Sequence, residues 1–137
     1  MIYRLTRQQR QALLDLMIYL ARVDGRVDNA EQRILADYAD FADAQTCTLP
    51  EQSSLEDLVR PFESPESRVV VLQELLRLAH SHKYFATEEQ SALVEVAALM
   101  GLPMDLLGKI EGWVVEGLAW ERKGDQLVGE AERLARR

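Results

Sequence analysis

The side chains best placed to do chemistry sit in one stretch, Leu20-Ala21-Arg22-Val23-Asp24-Gly25-Arg26-Val27-Asp28-Asn29-Ala30-Glu31. Asp24, Asp28 and Glu31 are close enough in sequence to gather around one divalent cation, because hard cations take oxygen ligands. The Asp-Gly, the aliphatic residue after it and the closing Glu look like a calcium loop. An EF-hand is nevertheless excluded. With Glu31 in the twelfth position, the first and third ligands would be Leu20, which belongs to an apolar stripe, and the cationic Arg22. What remains is a partial carboxylate site, completed by water or by Glu88 or Glu89 from a facing turn. A competing account needs no ion. Asp28 and Glu31 have capping-box spacing, worth about 1 kcal/mol, and Asp24 can accept from the backbone donors of a tight turn.

Other reactive groups are sparse. His80 and His82 are the only histidines; two residues apart at a helix end, their side chains diverge, and a favourable contact with the helix dipole explains them. Cys47 is the single cysteine, which excludes an internal disulfide and a multi-cysteine zinc site and suits a reducing compartment. No Ser/His/Asp grouping or Gly-rich phosphate loop is visible. No catalytic residue is therefore expected; the enzymatic alternative is a metal-dependent reaction using the same carboxylates with His80 or His82. The net charge of −7 counts against a nucleic-acid binder, which needs a basic face.

The elements that must position these groups read as helices throughout. Leu, Ala, Glu, Arg and Gln outnumber the β-branched residues, and no segment alternates with period two. Thr6 to Gln9 is a capping box opening a helix from about Arg7 to about Val23, with Leu13, Leu14, Met17, Leu20 and Ala21 on one face, and Gly25 ends it. Asp28 to Glu31 caps a second helix whose apolar face is Ile34, Leu35, Tyr38 and Phe41. The segment from Ala42 to Ser53 has no clear period and reads as a loop.

Ser53 to Glu56 caps a short helix that stops near Pro61, and Ser64-Pro65 restarts the chain. The helix that follows is apolar nearly all round, through Val69, Val70, Val71, Leu72, Leu75, Leu76, Leu78 and Ala79, and belongs in the middle of a bundle. Thr87 to Gln90 opens a helix with Leu93, Val96, Ala97 and Met100 inward, closed by Gly101. Pro103 begins the next, with a stripe of Leu106, Ile110, Trp113, Val114, Gly117 and Trp120. Lys123-Gly124-Asp125 predicts a break before a last short helix carrying Leu127, Val128, Ala131 and Leu134. The expected fold is an all-α single-domain bundle of six to seven helices.

The chain also repeats itself. Leu14-x-x-Met17-Ile18-x-Leu20-Ala21 superposes on Leu72-x-x-Leu75-Leu76-x-Leu78-Ala79, and the same shift sets Glu31 against Glu89 and Leu35 against Leu93. Half-repeats of about residues 6–41 and 64–101 would pack about a pseudo-twofold axis, with the C-terminal helices over about 103–136. The turns differ: His82-Lys83-Tyr84-Phe85-Ala86 stands where the first half has its acidic turn.

"LARVDGRVDNAEQRIL" (Leu20 to Leu35) and "SPESRVVVLQELLRLAHSHKYFATEEQSALVEVAALMGLP" (Ser64 to Pro103) resemble the tellurite-resistance TerB family and the related N-terminal domain of the co-chaperone DjlA. The first stretch carries the family's Ala-x-x-Asp-Gly-x-aliphatic-x-x-x-Glu motif. The second has its Arg after an acidic or Pro-containing start, a Leu-Ala pair and a capped helix ending in Leu-Gly-Leu. The resemblance covers roughly residues 10–105. It implies a non-enzymatic interaction module in a bacterial stress response, with a divalent cation (Ca, Mn or Zn) bound by Asp24, Asp28 and Glu31; Glu89 is the weaker addition from the facing turn. A purely structural scaffold with no ion is the further alternative.

A protein partner follows from the same resemblance, and exposure of Trp113 and Trp120 would give it a docking patch; otherwise these tryptophans line a core or groove. The N-terminus turns polar before any apolar stretch develops, and no run is long enough to span a bilayer. A cytoplasmic protein, not integral to a membrane, is expected.

Overall fold

The computed structural model describes residues 2–23, 29–44, 53–81 and 87–136, the side chains of 29–31 excepted, and its first helix begins where the sequence supplies a cap. The Gln9 backbone N–H donates to Thr6 Oγ1 at 3.1 Å, and the Thr6 N–H donates to Gln9 Oε1 at 3.0 Å. That reciprocal box opens α1, Arg7–Val23. Then come α2 (Asn29–Ala42), α3 (Leu55–Val59), α4 (Pro65–Ser81), α5 (Thr87–Leu99) and α6 (Met104–Ala135), with a single 3-10 turn, Ile2–Arg4, ahead of α1. The chain is all-α, without a strand among the described residues.

The other boundaries have equally local causes. Ser54 accepts the Asp57 N–H and caps α3, while Ser64 accepts the Ser67 N–H at 3.1 Å ahead of Pro65, leading α4. Gly101 takes φ +71° and closes α5. There the Leu102 N–H donates to the Ala97 carbonyl and the Gly101 N–H to that of Ala98, both at 3.0 Å, which is a Schellman ending.

α4 is the centre of the bundle, packed by α1, α5, α6 and the N-terminal turn. Val71, Leu72 and Leu75 have no exposed surface, and they meet Leu13, Leu14 and Leu16 of α1 and Val96 and Ala97 of α5 in one continuous core. Burial of this kind contributes roughly 1.5–3 kcal/mol per large side chain. Two arginines fasten the ends of elements to one another. Arg10 donates to the Ala42 carbonyl at 3.1 Å, at the end of α2, and to that of Leu5 at 3.0 Å. Arg68 donates to the carbonyls of Phe62 at 2.9 Å and Met100 at 3.2 Å. Each satisfies carbonyls that a helix end or linker leaves without an intrahelical donor.

Two expectations are corrected. Phe41 is 79% exposed, not part of the apolar face of α2. That helix turns Leu35, Ala39 and Ala42 inward; Ile34 and Tyr38 are half-buried, and Phe41 lies one turn further along the outer edge. The break at Lys123-Gly124-Asp125 does not occur either: α6 runs unbroken from Met104 to Ala135. A lone helical glycine costs only about 1 kcal/mol relative to alanine, and no proline follows to remove a hydrogen bond. Asp105 in the first turn and Arg133 in the last also complement the helix dipole. Among the described residues no helix is long and apolar enough to cross a membrane.

Candidate functional site

The carboxylates singled out in the sequence are only partly within view. Asp24 and Asp28 lie outside the described residues, and Glu31 falls in the first turn of α2 with its side chain outside them. Glu89 is placed, and it is 6% exposed. It sits in the first turn of α5, at a small recess lined by Leu20 and Ala21 from the end of α1, Leu35 from α2, and Leu75, Leu78 and Ala79 from α4. A carboxylate among apolar walls is costly unless partnered, and Glu89 is not left without a partner. Its neighbour Glu88 is exposed.

The remaining candidates do not converge. His80, at the end of α4, has its Nε2 3.5 Å from Glu111 Oε2 of α6, a contact that ties two helices together. His82 and Cys47 lie outside the described residues. Among the described residues, no three His, Cys, Asp or Glu side chains could hold a metal ion together.

The larger feature is α6. Its first half docks through Leu107, Ile110 and Val114, all buried, with Leu118 partly buried after them. That spacing, three or four residues per step, is one helix face laid on α4. Arg77 of α4 reaches Glu121 at 4.0 Å near the end of the docked part. From Ala119 to Arg136 every residue except Gly129 is exposed. Among its charged residues this half carries large apolar ones. Trp120 is 75% exposed, and Leu127, Val128 and Leu134 are each at least 60% exposed. Trp113, beside the docked face, is 43% exposed, so both tryptophans reach solvent instead of filling a core.

Five glycines interrupt α6, at 108, 112, 117, 124 and 129. A Cβ built on any of them meets nothing within 4 Å, so the packing of this chain does not require their smallness. The sequence offers Trp113 and Trp120 as core or groove residues, or as a docking patch if exposed, and assigns Leu127, Val128 and Leu134 to a separate short helix. The available signal was the seven-residue recurrence Trp113, Trp120, Leu127, Leu134, which an assumed break at Gly124 hides.

Two shallow grooves flank α6. One, about 240 Å³, lies against α5 between Leu93, Val94, Met104 and Leu107; the other, about 260 Å³, lies between Tyr38, Arg77, Leu78 and Leu118. The Tyr38 hydroxyl at the second groove is buried without a hydrogen-bond partner. Burial, with Glu74 nearby, pushes its phenol well above the ordinary range. In comparisons with known proteins, no family profile, curated protein or solved structure matches the chain.

Proposed function

We propose that this chain is a non-enzymatic interaction module of the kind its TerB resemblance implies, acting in a bacterial stress response through contact with another protein. The observation that supports the reading is the projecting half of α6. A helical segment exposing Trp120, Leu127, Val128 and Leu134 leaves on the surface the residue types that interfaces bury. Capture of partners from the host by the full chain, compared with Trp120→Ala and Leu127→Ala, tests it. Partners lost in both variants while the bundle stays folded are the expected result; partners retained by both would overturn the reading.

A cation at the Asp24-Gly25 turn is a second reading, and the buried Glu89 beside the end of α1 is what favours it. Glu89 stands at the position that the internal repeat sets against Glu31, beside Leu20 and Ala21 near the end of α1. Calorimetric titration with Ca²⁺, Mn²⁺ and Zn²⁺ is expected to give heat that Asp24→Ala and Glu89→Gln abolish. No heat with any of the three would end this reading.

A further inference from the structure

The exposed face of α6 has an internal order that bears on what covers it. Large side chains recur every seven residues, at Trp113, Trp120, Leu127 and Leu134, and small ones recur at the same interval between them, at Gly117, Gly124 and Ala131. A seven-residue apolar repeat makes a coiled-coil seam. Here one of its two positions is always a knob and the other always a notch. The notches are open: nothing within this chain approaches the place where a side chain on Gly117 or Gly124 would stand.

We infer that a second copy of this chain covers the seam, its α6 running antiparallel to the first. In that register Trp120 faces Ala131 of the partner subunit, Leu127 faces Gly124 of the partner subunit, and Leu134 faces Gly117 of the partner subunit. By twofold symmetry each contact occurs twice. Every layer sets a large side chain against a small one, so volume is filled evenly along the seam. The overlap spans about 27 Å of helix at 1.5 Å per residue. It starts at Gly117, alongside the last docked turn of α6, and runs out along the projecting segment, leaving each bundle at an opposite end.

Charge on the flanks selects the same orientation. The antiparallel register puts Lys123 beside Glu130 of the partner subunit, and Glu130 beside Lys123 of the partner subunit, giving two opposite-charge pairs. A parallel pair would instead stack Trp120 on its own copy and Gly124 on its own copy, crowding one layer and emptying the next. It would also set Glu116 against Glu121 of the partner subunit, like against like. Size and charge both disfavour the parallel arrangement.

This inference rests on the interaction reading and names its partner. Light scattering on the full chain at about 100 µM is expected to give about 31 kDa, twice the 15.6 kDa of one chain. Trp120→Ala and Gly124→Leu should each give the monomer mass, with unchanged helical content showing that the bundle is intact. Lys123→Glu is expected to weaken association about tenfold, and Lys123→Glu combined with Glu130→Lys to restore it, because the pair is merely reversed. Spin labels in a Cys47→Ser background should lie close together across the dimer from Gln126 and about 30 Å apart from Arg136. A monomer at all concentrations overturns the inference, as does a dimer indifferent to Gly124→Leu or one with short distances at both label sites. Trp120-dependent capture of a different protein by a monomeric chain would leave the interaction reading standing and this inference fallen.

Discussion

The two halves of α6 belong to one unbroken helix, yet they meet different fates. Leu107, Ile110 and Val114 are within 7% of complete burial, while Trp120, Leu127 and Leu134 are at least 65% exposed. The second half is richer in charged residues, yet it keeps a large apolar side chain every seven residues. What decides the fate of those side chains is the neighbour: α4 lies under the first half, and the bundle ends near Glu121. The same residue type is thus a source of fold stability in one place and an unpartnered surface a few turns later. The contrast separates what α6 does for the bundle from what it offers outside it.

That separation can be broken by mutation. The largest effect is expected at the helix both halves depend on: Leu72→Ala or Leu75→Ala in α4 should cost about 3–5 kcal/mol in denaturant unfolding, whereas Leu127→Ala should change monomer stability by no more than about 0.5 kcal/mol. Within α6, Ile110→Ala is expected to cost about 2–4 kcal/mol by removing an anchor on α4. A value near that of Leu127→Ala would mean the first half is not docked as described. Glycines sharpen the contrast. Gly101→Ala should lose about 1–2 kcal/mol at its positive φ, while Gly124→Ala, in open space on a helix, should gain up to about 1 kcal/mol in the monomer.

The smallest effect concerns Tyr38 beside the docked half. Its hydroxyl is buried unpaired, so Tyr38→Phe should be neutral or slightly stabilising at pH 7. The sign at alkaline pH follows from its raised pKa. The unfolded phenol ionises near its ordinary value of 10.0 while the folded one resists. Stability should therefore be level below pH 10 and fall above it, and Tyr38→Phe should flatten that fall in urea titrations at successive pH values.

Much of the fold was legible because its signals are local. Thr6 with Gln9, Ser54, Ser64 and Gly101 each act within a few residues of themselves, and each ends or begins a helix as its type predicts. The burial of α4 was legible as well, since a helix apolar nearly all round has only one place to go. Phe41 and the continuity of α6 were not. Whether Phe41 is covered depends on where the neighbouring helices stop, which no local pattern records. Whether Gly124 breaks a helix is a balance of about 1 kcal/mol, too small for the glycine alone to decide. As for the candidate site, the spacing of Trp113 and Trp120 was visible, but not that Trp113 lies off the face docked on α4 and Trp120 near its end. Glu89 is legible in the sequence as the counterpart of Glu31 and as a possible further carboxylate, but its burial comes from three other helices closing over it.

The glycines of α6 have one more consequence. Two of them, Gly124 and Gly129, lie in the projecting segment and each lowers its helix propensity by about 1 kcal/mol, and the segment has little packing of its own to compensate. Its backbone amides should therefore open and exchange with solvent deuterium far faster than those of α4 when the segment is bare, and slow sharply once it is covered. Occupancy of this surface is thus written into the exchange clock of residues 122–135, readable by mass without a label and before any partner has been purified.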